Sequence, residues 1–450
     1  MRFYKYLLPL VTAMGLASSA AYALDDREEE HNRALNERDL QALKDFLRLK
    51  REQAAEKPDL NLSVSGDVHV EWRHLNEKIG DRLIRGGRAR ACNGVPLSRN
   101  DFDIEANIYL NYRAERTWAT IQLQFDNPAG IEDNDCRCIK KSDGVTKEYF
   151  KRNRFHGSGE CDSICLKRAF IGYTLWEHCN DLLIVELGRR KMYDILDSEI
   201  QFLSRFDGIS LKYSGEAEAF GAWYATLGGF VVDERTNHFA WATELGLLDI
   251  RDSGFDLKYS FIDWTKRGRG RCGDRNPMGF KYCNSQLSVS YHLDPEVFNR
   301  PAEIFAAGVI NHRGSQVRNF PIVTIIDKDG KKISEEKSGR HGHRRNLAWY
   351  AGVLLGEVVK EGDWSFEVQY QWVQENAIAW DDESGICLGD FTAECCGHNP
   401  TPGYKGWLID VLYAVTDDLT MEMIIESSRK NQPGRRHSYS KFELEAIYAF

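Results

Sequence analysis

The feature that most constrains this chain is a two-residue alternation sustained far longer than an ordinary strand needs. Leu60, Leu62, Val64, Gly66, Val68, Val70 and Trp72 alternate with Asn61, Ser63, Ser65, Asp67, His69 and Glu71. One face is apolar and the other polar. A strand of a soluble protein averages about 5–6 residues, whereas one that crosses a bilayer needs about 9–11. The pattern recurs along the chain, for example at Phe102, Ile104, Ala106, Ile108, Leu110 and Tyr112, and again at Trp407, Ile409, Val411, Tyr413 and Val415. It predicts strands at 60–72, 101–112, 118–127, 165–175, 182–190, 205–214, 218–229, 239–248, 254–264, 280–293, 302–311, 346–357, 363–374, 405–415, 419–428 and 440–450, which is 16 in all. The faces of 218–229 and 302–311 are the least regular.

The connectors alternate too. Long segments follow the odd strands, among them 73–100, 128–164, 312–345 and 375–404, and short ones such as 113–117 and 416–418 follow the even strands. Long loops at one end and tight turns at the other describe an outer-membrane barrel. Inside lipid every backbone N–H and C=O must be paired, so a spanning sheet has to close on itself. The expected fold is therefore all-β, a transmembrane antiparallel up-and-down β-barrel of 16 strands. An even strand count puts both chain ends on the periplasmic side. Trp72, Tyr112, Trp176, Trp264, Trp364 and Trp372 fall near strand ends, where aromatic girdles sit. A soluble sandwich or propeller does not require these features together.

The first residues read as an export signal. Arg2 and Lys5 precede an apolar run from Leu7 to Ala17, and Ala21-Tyr22-Ala23 forms a small-residue cleavage site. The division is a signal peptide at 1–23, a charged helix at 24–58 and a barrel at 59–450. Leu40, Leu43, Leu47 and Ala54 give the helix an apolar stripe. It suits either a short periplasmic coiled coil that assists trimerisation or a solvated linker. The formal net charge of −9 disfavours nucleic acid as a partner.

The chain closes on Phe442, Leu444, Ala446, Tyr448 and Phe450 at period two. This tail resembles the C-terminal signal of bacterial outer-membrane barrels, and the layout of 60–450 resembles the porin superfamily. A narrower likeness lies in Gly188-Arg189-Arg190 followed by Arg205-Phe206-Asp207-Gly208-Ile209. It is similar to the region of general porins where the third outside loop folds into the pore. The resemblance implies a constriction formed by residues 191–204 and the wall, with Glu186, Arg190, Lys191, Asp194, Asp197, Glu199, Arg205, Asp207 and Lys212 as its charged candidates. Charges of both signs across a narrow opening act on polar solutes. It also implies contact with the barrel-assembly machinery and outer-membrane lipid, a homotrimer, and no cofactor; the basic outside loops, with Lys266, Arg267, Arg269, Arg271 and Arg275 in one and Lys331, Lys332, Arg340, Arg344 and Arg345 in another, suit either lipopolysaccharide or ordinary solvation.

Alternation places Asp67, Glu71, Asp101, Asp103, Glu105, Glu244, Glu367, Asp410, Glu422, Glu426, Glu443 and Glu445 on the inward face, against few inward cations such as Arg168 and Lys258. The lumen is expected to be acidic. The 11 cysteines are unusual. Cys92, Cys136, Cys138, Cys161, Cys165, Cys272, Cys283, Cys387, Cys395 and Cys396 fall in outside loops or at their junctions, and Cys179 in a turn. For an exported chain, disulfides are the natural reading. Short pairs such as Cys136-x-Cys138 leave metal as a rival, although none repeats the common zinc spacing. General porins are poor in cysteine; a cysteine-rich one looks more like the disulfide-linked major outer-membrane proteins of chlamydia-like bacteria. No common hydrolase, zinc-protease or nucleotide-loop motif appears, so the chain is read as a non-enzyme. Three functions follow: passive diffusion of small hydrophilic solutes, a substrate-specific sugar or polysaccharide channel, or a non-conducting surface barrel.

Overall fold

The computed structural model describes residues 61–80, 82–83, 99–127, 164–178, 180–217, 220–233, 238–264, 282–293, 300–314, 323–326, 332–336, 344–379, 382–386, 388, 403–431 and 436–450. The expected signal peptide and helix lie outside these residues. So do Cys92, Cys136, Cys138, Cys161, Cys179, Cys272, Cys387, Cys395 and Cys396.

Sixteen strands form the wall: β1 (Leu62–Ile79), β2 (Asn100–Arg113), β3 (Thr117–Asn127), β4 (Ile164–His178), β5 (Asp181–Lys191), β6 (Arg205–Ala217), β7 (Gly221–Asp233), β8 (His238–Leu248), β9 (Phe255–Asp263), β10 (Cys283–Leu293), β11 (Ala302–Asn311), β12 (Leu347–Glu357), β13 (Trp364–Val373), β14 (Tyr404–Ala414), β15 (Leu419–Lys430) and β16 (His437–Ala449). Each pairs antiparallel with its chain neighbour. β16 then returns to β1 from Asp67↔Ala449 to Ile79↔His437, and the sheet closes. Every strand expected from the alternation is present, including the two irregular ones. The main extension is in β1, which continues to Ile79 alongside the early residues of β16. Two short pieces lie beyond the wall: residues 82–83 against the end of β1, and a hairpin of Val323–Ile326 with Lys332–Glu336.

The alternation maps directly onto the two faces. Outward side chains are large, apolar and exposed, among them Leu62, Val64, Ile104, Ile171, Leu187, Leu227, Leu245, Leu287, Ile304 and Val353. Such a belt is costly in water and suited to hydrocarbon. Aromatic rings flank it at both ends. Tyr213 packs edge-on to Trp223, with ring centroids 5.0 Å apart, toward the tight turns, and Tyr370 packs on Trp407 at 4.8 Å toward the long loops. The inward rows are mostly buried; they are polar over most of the wall and largely apolar on β11 and β12, where Phe305, Val309, Tyr350 and Leu354 face in.

Closure is sealed at the last residue. Phe450 N–H donates to Gly66 O, and Gly66 N–H donates to Phe450 O. A Cβ on residue 66 would stand 2.6 Å from the Phe450 ring, so only glycine lets that ring lie across β1. The C-terminal pattern of Phe442, Leu444, Ala446, Tyr448 and Phe450 thus lies on the seam strand or just after it, with Leu444, Tyr448 and Phe450 exposed on the outer face.

Candidate functional site

Residues 192–204, between β5 and β6, enter the barrel. Met192 N–H donates to Ser204 O and Tyr193 N–H to Phe202 O, so the segment leaves the rim as a narrow hairpin. Met192–Asp194 forms one turn of 3₁₀-helix. Met192, Leu196, Ile200, Phe202 and Leu203 are buried. Phe202 holds a left-handed φ of 82° while wholly buried. That conformation is rare for a bulky residue and persists only where the surroundings enforce it. Here Phe202 packs in a cluster with Phe230, Ile262, Trp264 and Tyr282 on the wall.

The tip reaches strands far around the wall. Asp197 N–H donates to Glu244 of β8 at 2.9 Å, and the Asp197 carboxylate is ion-paired with Lys258 of β9. Ser198 Oγ donates to Gln286 of β10 at 2.7 Å, Gln201 Nε2 donates to the same oxygen at 3.1 Å, and Gln286 Nε2 donates back to Asp197 O. Asn284 donates to Gln201 Oε1. On β13, Gln369 and Gln371 donate to the Glu199 carboxylate and carbonyl, both at 3.4 Å.

The root of the loop is held by two buried arginines. Arg168 of β4 pairs with Asp194 at 3.4 Å and also reaches the Tyr193 hydroxyl. Arg190 of β5 is paired with Glu186 and lies 3.8 Å from Asp194. Its guanidinium covers the Phe170 ring at 4.3 Å. Trp118 Nε1 donates to the second Glu186 oxygen. Lys191 is buried over Tyr193, Lys212 points inward over Tyr224, and Arg205 is half-buried at the rim. Of the nine charged candidates, Glu186, Arg190, Lys191, Asp194, Asp197 and Glu199 therefore gather around the inward loop, and Lys212 lies on the inward wall over Tyr224.

Asp207 does not. It forms a two-bond ion pair with Arg189, both at 2.7 Å, on the outer face, where the side chains are 50% and 39% exposed. The cause is the pleat: in β6 residues 207 and 209 share a face, residue 212 has the opposite parity, and Ile209 is exposed on the outside. Asp207 and Lys212 cannot both line the inside of one regular strand.

A second segment, missed from the sequence, also turns inward. Residues 374–379, 382–386 and 388 follow β13, and Ala377, Ile378, Ala379, Ile386 and Leu388 are buried. Gln201 and Glu383 form an antiparallel bridge between the two loops. Ser384 N–H donates to Ile200 O, Leu203 N–H to Asp382 O, and Ser204 N–H and Oγ to the Asp382 carboxylate. Ile200, Ile378, Ile386 and Leu388 pack with Phe305, Tyr350 and Tyr404 against one half of the wall. On the tight-turn side of the third-loop tip a cavity is lined by Asp197, Glu199, Asp256, Lys258, Phe305 and Tyr350.

The opposite half is acidic, as the alternation predicts. Asp103, Glu71, Glu445 and Glu422 stand side by side on β2, β1, β16 and β15. Like charges so placed repel, and the structure supplies cations that the sequence reading omitted. Arg73 lies 2.8 Å from Glu71 and 3.5 Å from Asp103. Lys441 bridges Glu426 and Glu443 at 2.9 and 3.1 Å. His69 has one ring nitrogen 2.7 Å from Glu445 and the other 2.9 Å from Asp67. Two carboxylate acceptors require two N–H donors, so that geometry fits the imidazolium. A register shift in β4 buries Lys167 beside Arg168.

Sixteen strands closed on themselves, an apolar belt and a third long-end loop folded through the interior decide the fold class. The fold is a closed, 16-stranded antiparallel β-barrel. No family model matches the chain, and no curated protein does. Among solved structures, OprB of Pseudomonas putida is similar over 87% of this chain and 94% of its own, at 8% identity and a TM-score of 0.48. The outer-membrane channel DcaP of Acinetobacter baumannii covers 86% and 97%, at 10% identity and a TM-score of 0.42. A mutant Rh. blastica porin covers 86% and 100%, at 8% identity and a TM-score of 0.40.

Cysteine chemistry enters at two described positions. Cys283 is a buried, free thiol at the long-loop end of β10, and Cys165 is half-buried near the same end of β4.

Proposed function

We propose that this chain is an outer-membrane channel for passive diffusion of small hydrophilic solutes and ions. The observation that carries the reading is the third loop, pinned across a closed barrel with Arg168 and Arg190 at its root and Asp197 and Glu199 at its tip. A solute entering this barrel meets cations on one side and carboxylates on the other, in an interior shielded from bulk water, where each charge acts strongly. The inward rows are largely buried, so the path is narrow and admits small solutes only. The carboxylates on β1, β2 and β13–β16 outnumber the cations among them, which favours cations over anions to a modest extent. Tight turns face the periplasm and long loops the outside. The chain works as a homotrimer in lipopolysaccharide-containing membrane, delivered by its signal peptide and C-terminal strand, with its outside cysteines other than Cys283 in disulfides.

The packed interior is the one observation that favours a second reading, a barrel selective for one solute class or closed to ions. Planar-bilayer conductance separates them. Large steady steps support diffusion, and small steps blocked by a single solute class support selectivity. Absence of steps at every pH refutes a channel.

A further inference from the structure

The two inward loops meet at a carboxyl group that has no visible reason to be where it is. Glu383 is 0% exposed, and neither of its side-chain oxygens accepts a hydrogen bond from the described residues. A buried polar group without partners is rare in folded proteins, and charging it there is strongly unfavourable. Its backbone, by contrast, is at the centre of the contact. Gln201 and Glu383 are the bridged pair, flanked by Ser384 N–H to Ile200 O on one side and Leu203 N–H to Asp382 O on the other. Ser384 Oγ also donates to Gln201 O at 3.1 Å. The residue that cannot be charged without penalty is therefore the one that joins the two loops.

We propose that residues 197–204 and residues 382–386 with Leu388 form an acid-closed plug, docked together while Glu383 carries its proton and parting as Glu383 ionises. The docked loops pack on the apolar half of the wall through Ile200, Ile386 and Leu388. When they part, the third-loop tip keeps its separate bonds to Gln286 and Lys258, so the opening lies between the loops.

The direction of the response follows from linkage. Burial alone pushes Glu383 from an ordinary value of 4.5 up to about 8. The docked state thus holds its proton more tightly than the parted state. Docking is strongest below about pH 4.5, weakens as pH rises through the interval up to about 8, and is constant above that. Within the interval each pH unit shifts the equilibrium about tenfold.

The other titratable groups of the packed elements do not mimic this. Asp382 accepts from Ser204, and Glu199 accepts from Gln369. Protonating either removes an acceptor and loosens the contact at acid pH, the opposite sign. Tyr404 donates to Gln371, and Arg345 is paired with Glu375. No charged group among the described residues offsets the burial of Glu383.

The test is amide hydrogen exchange of the peptides covering 197–204 and 382–388 in the full-length, detergent-folded protein, corrected for intrinsic pH dependence. Conductance is followed in parallel from pH 5 to pH 9. The native protein should exchange about a hundredfold faster at pH 7 than at pH 5 in these peptides, with no further rise beyond about pH 8. Glu383→Gln, which keeps the shape of the protonated group, should stay slow throughout. A flat native profile, a fall with rising pH, or the same rise in Glu383→Gln overturns the proposal. If exchange responds as expected and no current flows at any pH, the plug stands and the channel reading falls.

Discussion

Gln286 is the position where loop and wall can be uncoupled most cleanly. It sits inside β10 and makes three bonds to the third-loop tip: it accepts from Ser198 and Gln201 and donates to Asp197 O. Its own strand is held by ladders to β9 and β11 that do not use the side chain. Gln286→Ala therefore removes three tip contacts and leaves the wall intact. A net bond of this kind contributes about 1 kcal/mol, so docking of the tip should weaken by about 3 kcal/mol, on the order of a hundredfold in the undocked population. The buried Ser198 and Gln201 lose partners as well, which adds to the effect. Exchange protection at residues 197–201 should drop by that factor at constant pH. Barrel melting should move little, because the strands carry it. Open-channel current noise should rise as the tip samples detached positions. Unchanged protection at 197–201 would refute the claim that the loop is pinned through this amide, and collapse of the whole barrel would show that the wall depends on the loop.

Three further outcomes follow from the same structure. Gly66→Val should place a branched side chain where the Phe450 ring and Asn107 O now lie, at 2.6 and 2.7 Å from even a Cβ; folding yield should fall at least as far as on deleting Phe450, and a normal heat-modifiable gel band would refute the seam argument. Neutralising Asp194, Asp197 and Glu199 together should lower cation preference in reversal-potential measurements, most visibly at low salt, and no shift would detach these residues from the ion path. Non-reducing mass mapping should find the outside cysteines paired while Cys283 alkylates only after unfolding, consistent with burial of its thiol; mostly free outside thiols would reject the disulfide reading.

The strands were readable in the sequence because a membrane-spanning closed sheet imposes one local rule on every residue: outward apolar, inward polar. The run from Leu62 to Trp72 obeys it, and so does the run ending at Phe450; strand 302–311 keeps Ile304 and Ile310 outside but turns Phe305, Ala307 and Val309 inward, where the loops cover them. Long connectors marked one end of the barrel for the same local reason, since their length and composition need no partner to be recognised. The third loop was readable as a charged segment between β5 and β6, and Glu186, Arg190, Asp194, Asp197 and Glu199 were found through it. Its destination was not. Gln286, Asn284, Gln369 and Gln371 are neutral amides in ordinary inward positions, and nothing in their own strands distinguishes them from other polar wall residues. They become binding partners only because closure brings β10 and β13 within reach of a loop that begins at β5. Asp207 shows the converse: the pleat of β6 turns it outward to Arg189, against the inward role suggested by its neighbours in sequence. Glu383 belongs wholly to the tertiary level. A glutamate in a long polar loop reads as solvated, and only the docking of two loops inside the barrel strips it of water and makes its charge matter. Local alternation determined the wall, and what fills it depended on contacts between residues 47 to 183 positions apart.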